Sequence, residues 1–480
     1  MNKSAGVSDI VISVPRLYIQ IANRDKPNEH TEYSSHRYER DKDGKIIYDK
    51  GEPVPISPAK YLNGIGVAKM SRPDTYQDAV TLAANAVYEL IERNNIRPKE
   101  INRIEIGTET GPDESKSIGM YVLGTLEKKL GKGSLKRCAT PEGKAACAST
   151  AFAFENALDW IWSGRSNGSC RIICGTDIAN YGLNSGGEPT QGAAAVAVLV
   201  KPEPKLLEFD KVIGQYTEDE GSFYRPSFSH VAFVNGKESE KKYMIAMREA
   251  FDHYAEQAIE SGLISLKPGE SLTDHFDLLS FHQPFPKMIE KAYSALKIHE
   301  DRQLPRWQSV VKEIGEKPER EDFETEEEYE IKEEEFRKKF RNTKFFQESF
   351  QAKMADGREF SIESGNSYTV STWGHLQSLL SLKDKKGENL TGKRGGIGFF
   401  GSGCVAVGQS YTVLPGCQNV IRSFNLMEKL RDRTALSLQD YEDLHEQRPL
   451  SDGRKFVLSP EHEFTLTKIE NGYRYYNFVE

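Results

Sequence analysis

Cys147 sits in the run KAACASTAFAF, where small residues lead straight into an apolar helical stretch and place the sulfur at or near a helix N-terminus. The helix dipole and free N–H groups there favour a thiolate, and the small neighbours admit a substrate. Glu109, in EIGTETGPDESKS, follows an apolar strand and precedes a Gly-Pro turn; a carboxylate held partly out of water at such a place becomes more basic. His282, in LLSFHQPFPK, also ends an apolar strand, where an imidazole can polarise or protonate a carbonyl oxygen. Lys287 follows five residues later and can meet a ligand phosphate. Further on, SGNSYTVST carries the amide of Asn366, and GIGFFGSGCVAV ends a strand in the turn Gly401-Ser402-Gly403, whose N–H groups can hold an oxyanion. Taken singly, each also fits a structural role: a core cysteine, a surface turn, a satisfied histidine, a solvated lysine, a glycine turn. No P-loop and no convincing GxGxxG appears, so nucleotide hydrolysis and hydride transfer have little support.

These residues need strand ends and helix starts to hold them. Apolar spacing predicts a core-facing helix over 75–94, and helices over 148–163 and 241–261. Short strands are expected at 103–108, 171–175, 193–200, 278–281 and 395–400, and they alternate with helices as in layered α/β proteins, whose sites gather at strand ends. KPEPK, near 200–206, marks the boundary between two halves. The charged stretch 312–344 contains EEEYEIKEEEFRKKF, with Tyr329, Phe336 and Phe340 at helical spacing, and reads as a solvated amphipathic helix. Residues 416–480 read as a polar helix followed by strand-like pieces with structural rather than catalytic roles.

With 64 Lys plus Arg against 72 Asp plus Glu, the net charge is −8, which argues against a nucleic-acid binder. No apolar run reaches the roughly 18 residues of a membrane helix, and the N-terminal segment lacks the layout of a signal peptide, so a cytoplasmic protein is expected. The six cysteines, Cys138, Cys147, Cys170, Cys174, Cys404 and Cys417, show no zinc-ligand spacing, so free thiols and no metal site are expected.

In their order along the chain these segments resemble the hydroxymethylglutaryl-CoA synthase family of the thiolase superfamily. The resemblance runs through KYLNGIGVAKM, GTETGPDESKS, the Cys147 segment, CGTDIANYG, GGEPTQGAAAVAVLV, SFYRP, FHQPFPK, GNSYTVSTWG and FFGSG, from about residue 8 to residue 415. It implies an α/β fold with a thiolase-like duplicated, layered α/β/α/β/α core: an N-terminal half over 1–203 with the nucleophile, a C-terminal half over 204–415 with a charged helical insertion at 312–344, and an extension over 416–480. It further implies a homodimer whose substrates are acetyl-CoA and acetoacetyl-CoA, with no metal or redox cofactor. Cys147 would accept the acetyl group, Glu109 would remove a methyl proton, and His282 would assist at the acceptor ketone. The N–H groups of Cys147 and Ser402 would hold developing charge, Asn366 would place the acetoacetyl group, Asp113, Asp177, Tyr181, Thr190 and Tyr368 would line the pocket, and Lys287 would bind substrate.

Three positions depart from the family pattern: Ala148 where a tyrosine is common, Phe400 where a tyrosine is common, and Ser222 where an aspartate is common. The first reading is a synthase of isoprenoid precursor supply, in the mevalonate pathway. Two alternatives are a β-branching synthase acting on acyl groups tethered to an acyl carrier protein, and a non-catalytic scaffold; the presence of Cys147, Glu109 and His282 together weighs against the last.

Overall fold

The computed structural model describes residues 4–41, 43–229 and 231–480. Among these, nine strands form a central sheet: β1 (Ala5–Ser13), β2 (Ile101–Gly107), β3 (Glu142–Gly143), β4 (Cys170–Ile178), β5 (Ala193–Pro202), β6 (Leu207–Thr217), β7 (Leu278–Phe281), β8 (Arg394–Gly401) and β9 (Val405–Val413). Their order is β3-β2-β4-β5-β1-β6-β9-β8-β7. One pairing scheme occurs twice. In the first half β1 pairs antiparallel with β5, β5 antiparallel with β4, and β4 parallel with β2. In the second, β6 pairs antiparallel with β9, β9 antiparallel with β8, and β8 parallel with β7. The halves meet where β1 and β6 pair antiparallel, Gly6 opposite Glu208 and Val7 opposite Leu207. A Cβ at Gly6 would lie 2.0 Å from the Leu207 carbonyl oxygen, so this seam requires glycine.

Side-chain alternation then builds the layers. On β5, Ala194, Val196, Val198 and Val200 join one core, while Ala193, Ala195, Ala197 and Leu199 join another. The second of these cores is closed by α1 (Ala79–Arg93) and α2 (Ile118–Leu130). The first holds α3 (Ser149–Trp162) and, from the second half, α9 (Ser371–Lys385), whose Trp373, Leu376, Leu379 and Leu380 also meet Ile397, Phe399 and Val407 of β8 and β9. The opposite face of that half, carrying Leu279, Phe281, Phe400 and Ala406, packs under α4 (Gly236–Glu260) and α5 (Met288–Asp301). The result is helices, sheet, the α3/α9 pair, sheet, helices, as the duplicated thiolase-like reading anticipates.

Between α5 and α9 the chain forms α6 (Trp307–Ile314), α7 (Glu326–Arg341) and α8 (Lys344–Lys353). The charged segment is helical at α7, and its Phe336 and Phe340 are buried against Trp307 and the α8 phenylalanines. Helix α1 begins four residues later than its apolar spacing suggests, because Asp78 caps it by accepting from the Thr81 N–H while Asp74 is used in the preceding turn. Helix α4 begins five residues earlier, with Asn235 as its cap. In the last segment, the helix Leu438–His445 is followed by a hairpin of β10 (Glu463–Glu470) and β11 (Tyr473–Val479), which lies on α1 and α2. All six cysteines are free and buried.

Candidate active site

The turn before α3 carries Cys147, 5% exposed, and the preceding residue Ala146 has φ +46°, a left-handed conformation that tightens the bend. Just past β2, Glu109 turns back toward it: the Cys147 thiol donates to Glu109 Oε1 at 2.9 Å. Burial and the nearby Asp177 carboxylate push the Glu109 acid up to about 8. Burial, reinforced by Glu109, also raises the Cys147 thiol well above its ordinary value. This reverses the expectation of a resting thiolate: Cys147 does precede a helix, but a dry site and an adjoining carboxylate outweigh the dipole. Glu109, once ionised, is placed to accept the thiol proton.

Asp177, on β4, is fully buried. Its Oδ1 accepts from the Thr108 hydroxyl at 2.9 Å, the Glu109 N–H at 3.0 Å, the Thr110 N–H at 3.1 Å and the Thr110 hydroxyl at 2.6 Å. Its Oδ2 accepts from the Thr369 N–H at 3.1 Å and from the Thr369 hydroxyl. Asp177 therefore fastens the Glu109 turn to the loop before α9, and it contributes to the site through Glu109 rather than as open wall. Around Cys147 stand Tyr181, Phe223 and Tyr368, all buried. The Tyr181 and Tyr368 rings share this pocket, and Tyr368 has φ +48°. Asn366 fixes that turn, its Oδ1 accepting from the Tyr368 N–H at 2.9 Å and the Ser371 hydroxyl at 3.0 Å; its own N–H donates to the Thr190 carbonyl at 2.8 Å.

His282 follows β7, its N–H donating to the Gly398 carbonyl at 3.0 Å and its carbonyl accepting from the Tyr243 hydroxyl at 2.6 Å. Burial lowers its imidazole to about 3, so the ring is neutral at physiological pH, and its Nδ1 has no hydrogen-bond partner among the described residues. Phe400 lies beside it, with ring centroids 6.4 Å apart, and packs edge-on to Tyr243 at 4.7 Å. Gly401 brings the two halves into backbone contact: a Cβ there would lie 2.3 Å from the Ala145 carbonyl oxygen and 3.0 Å from the Ala148 nitrogen. This contact sets Ser402 beside the Cys147 turn. Glu220 holds the glycine turn through the Gly403 N–H at 3.0 Å and also accepts from the Ser222 hydroxyl at 2.9 Å.

Two expected residues stand further off. Asp113 lies at the mouth of the cleft described below, accepting from the N–H groups of Ser115 and Lys116 at 2.9 and 2.8 Å and from Tyr121; these bonds, the Lys116 one foremost, hold its carboxyl below the usual carboxylate range. Lys287 immediately precedes α5, pairs with Glu290 at 3.3 Å, and donates its N–H to the Ile65 carbonyl. A cleft of about 570 Å³ reaches Glu109, Phe223 and Tyr368 from outside. Arg225, which sequence reasoning passed over within SFYRP, lines it and bonds the Glu109 carbonyl. Among the described residues no group of three or more His, Cys, Asp or Glu side chains is placed to hold a metal ion, and no helix is long and apolar enough to cross a membrane.

The profile described as hydroxymethylglutaryl-coenzyme A synthase N terminal matches residues 49–205, and its C-terminal counterpart matches residues 207–476. The chain belongs to the hydroxymethylglutaryl-CoA synthase family. A hydroxymethylglutaryl-CoA synthase of Haloferax volcanii is 32% identical over 437 residues, covering 88% of this chain and 94% of the relative. The synthase of Saccharomyces cerevisiae is 29% identical, with 87% and 84% covered. Among solved structures, MvaS in complex with 3-hydroxy-3-methylglutaryl coenzyme A is similar over 100% of both chains, with a TM-score of 0.79 and 28% identity. The division between the two family profiles, at residues 205–207, coincides with the step from β5 to β6.

Proposed function

We propose that this member of the hydroxymethylglutaryl-CoA synthase family is an acyltransferase that condenses acetyl-CoA with acetoacetyl-CoA and water, giving hydroxymethylglutaryl-CoA and CoA, as part of isoprenoid precursor supply. The carrying observation is the 2.9 Å bond from the Cys147 thiol to Glu109. Glu109 takes the thiol proton as sulfur attacks the acetyl carbonyl, and returns a proton to the departing CoA thiolate. As a carboxylate again, it removes a methyl proton from the acetyl-Cys. The enolate attacks the acceptor ketone, whose oxygen takes a hydrogen bond from neutral His282 and a proton from Glu109. Water then cleaves the thioester. Each step moves a proton between oxygen, sulfur and carbon, so thioester substrates suffice and no resident metal or redox group is called for. The N–H groups of Cys147 and Ser402, brought together by Gly401, suit the thioester oxygen as it gains charge. The same proposal includes a cytoplasmic homodimer, for which the outermost strand of the first half, Glu142–Gly143, offers a free sheet edge.

The test is intact mass spectrometry after acetyl-CoA, peptide mapping of the adduct, and an acetoacetyl-CoA chase. Acetyl on Cys147, converted by the chase to free hydroxymethylglutaryl-CoA, is expected. Acetylation that acetoacetyl-CoA does not consume would overturn the acceptor assignment, and no acetylation would overturn the whole reading.

A further inference from the structure

The cleft that reaches Glu109 is lined by acids as well as bases, yet two of its arginines have no carboxylate in ion-pair contact among the described residues. Arg72 is 6% exposed and lines the cleft, yet all its partners are neutral: Asn180 Oδ1 at 3.1 Å and the carbonyls of Leu444 and His445 at 3.0 and 3.2 Å. Its Nε has no partner at all among the described residues. Arg225 bonds only the Glu109 carbonyl oxygen, and no carboxylate among the described residues lies within ion-pair distance of either arginine. The other cleft arginines are already neutralised, Arg474 by Asp78 at 3.0 Å and Arg448 by Asp443 at 3.2 Å. Asp74, the buried acid next along the chain from Arg72, is turned onto the N–H groups of Thr75, Val457 and Leu458. A buried guanidinium without an anion is costly, and a cleft of about 570 Å³ is within the usual size of a ligand site.

The proposed reaction makes an anion here. We propose that the Arg72–Arg225 cleft is the carboxylate side of the active site, admitting the water that releases the acyl group from Cys147 and receiving the carboxylate that forms. This inference rests on the condensing reading above. In the release step a water oxygen bonds the thioester carbonyl carbon, the C–S bond breaks, and the sulfur leaves with a proton as the Cys147 thiol. The new acid loses its proton to Glu109 and thence to solvent, and the resulting carboxylate faces guanidinium groups that bond it in a bidentate manner. Lys287, paired with Glu290 on α5, does not line this cleft, so a thioester arm meeting Lys287 leaves it free for the carboxylate end.

The experiment follows the Cys147 adduct by intact mass in wild type and in Arg72→Gln, Arg225→Gln and Arg225→Lys, first with acetyl-CoA alone and then with acetoacetyl-CoA. Protection of Cys147 from alkylation by free 3-hydroxy-3-methylglutarate is measured alongside. Arg72→Gln, which does not touch the Glu109 turn, is expected to acetylate like wild type; both Gln variants should accumulate the condensed acyl adduct because release slows about tenfold or more, and lose protection by a similar factor, with Arg225→Lys intermediate. Release and protection at wild-type levels in both Gln variants would overturn the proposal. So would loss of acetylation together with release in Arg72→Gln and Arg225→Lys, which would assign the arginines to holding the Glu109 turn. Failure of wild type to acetylate would instead sink the condensing reading itself.

Discussion

Asp177 on β4 and Thr369 ahead of α9 are joined twice, the Asp177 carboxylate accepting both the N–H and the hydroxyl of Thr369. This link crosses from the first half of the duplicated fold to the second, and the other oxygen of the same carboxylate sets the Glu109 turn. Asp177→Asn would point an amide N–H at two donors. We expect it to cost about 1–3 kcal/mol of stability, measured by urea unfolding, and to slow condensation; unchanged values in both would refute the clamp.

The condensation step depends on ionised Glu109. Burial and Asp177 push its acid up to about 8 beside the free thiol, and acetylation removes the Cys147 bond that opposes the shift, so the rate on pre-acetylated enzyme rises with pH through about 8 or above. Single-turnover condensation across pH gives the midpoint directly. A midpoint near the usual glutamate value of about 4.3 would contradict the burial argument.

Stability should run the other way. Between an unfolded value of about 4.3 and the folded value of about 8, the native state holds a proton on Glu109 that the unfolded chain has lost, so stability falls as pH rises across that window. Glu109→Gln keeps the neutral form. Relative to wild type it should gain on the order of 1 kcal/mol or more between about pH 5.5 and about pH 8.5, while acetylation and condensation both fall, condensation by about 10²–10⁴. Equal unfolding profiles for the two proteins would contradict the shift.

Gly401→Ala places a methyl group 2.3 Å from the Ala145 oxygen, a backbone contact that cannot give way without moving the Cys147 turn. A loss of about 1–3 kcal/mol in stability and at least about tenfold in acetyl transfer is expected. A variant with wild-type acetylation would separate the glycine turn from the nucleophile.

His282→Ala should leave acetylation within about threefold and reduce condensation by about 10²-fold, since a neutral imidazole serves only the acceptor oxygen. No kinetic limb near pH 6.5 belongs to this ring, which burial holds at about 3. Equal losses in both half-reactions would contradict that division.

The strands were legible because runs such as LLSF and AAAVAVLV carry their own pattern; the strand 278–281 has the same limits in sequence and structure. Glu109 and His282 were legible because each stands just beyond such a run, and Cys147 because it stands just ahead of an apolar helical one. The direction of the Cys147 ionisation was not, because it depends on a carboxylate 38 residues away and on burial, which local sequence does not encode. Arg72 and Arg225 were equally hidden. The partners of Arg72 are the Asn180 side chain and two main-chain carbonyls more than 370 residues distant, and nothing in the spacing around MSRPD signals them. The extension 416–480 read as structural, and its Leu466, Ile469 and Arg474 form part of the cleft wall, a place they reach only when β10 and β11 fold back onto α1 and α2.

Glu109 and His282 occupy matching places, each just beyond the strand that pairs in parallel within its half, β2 beside β4 and β7 beside β8. Two identical halves would have offered the same residue from both sides, two acids or two imidazoles. A reaction that wants a proton remover facing a hydrogen-bond donor needs the two halves to differ at these places. The pairing scheme repeats, and the chemistry lives in the difference.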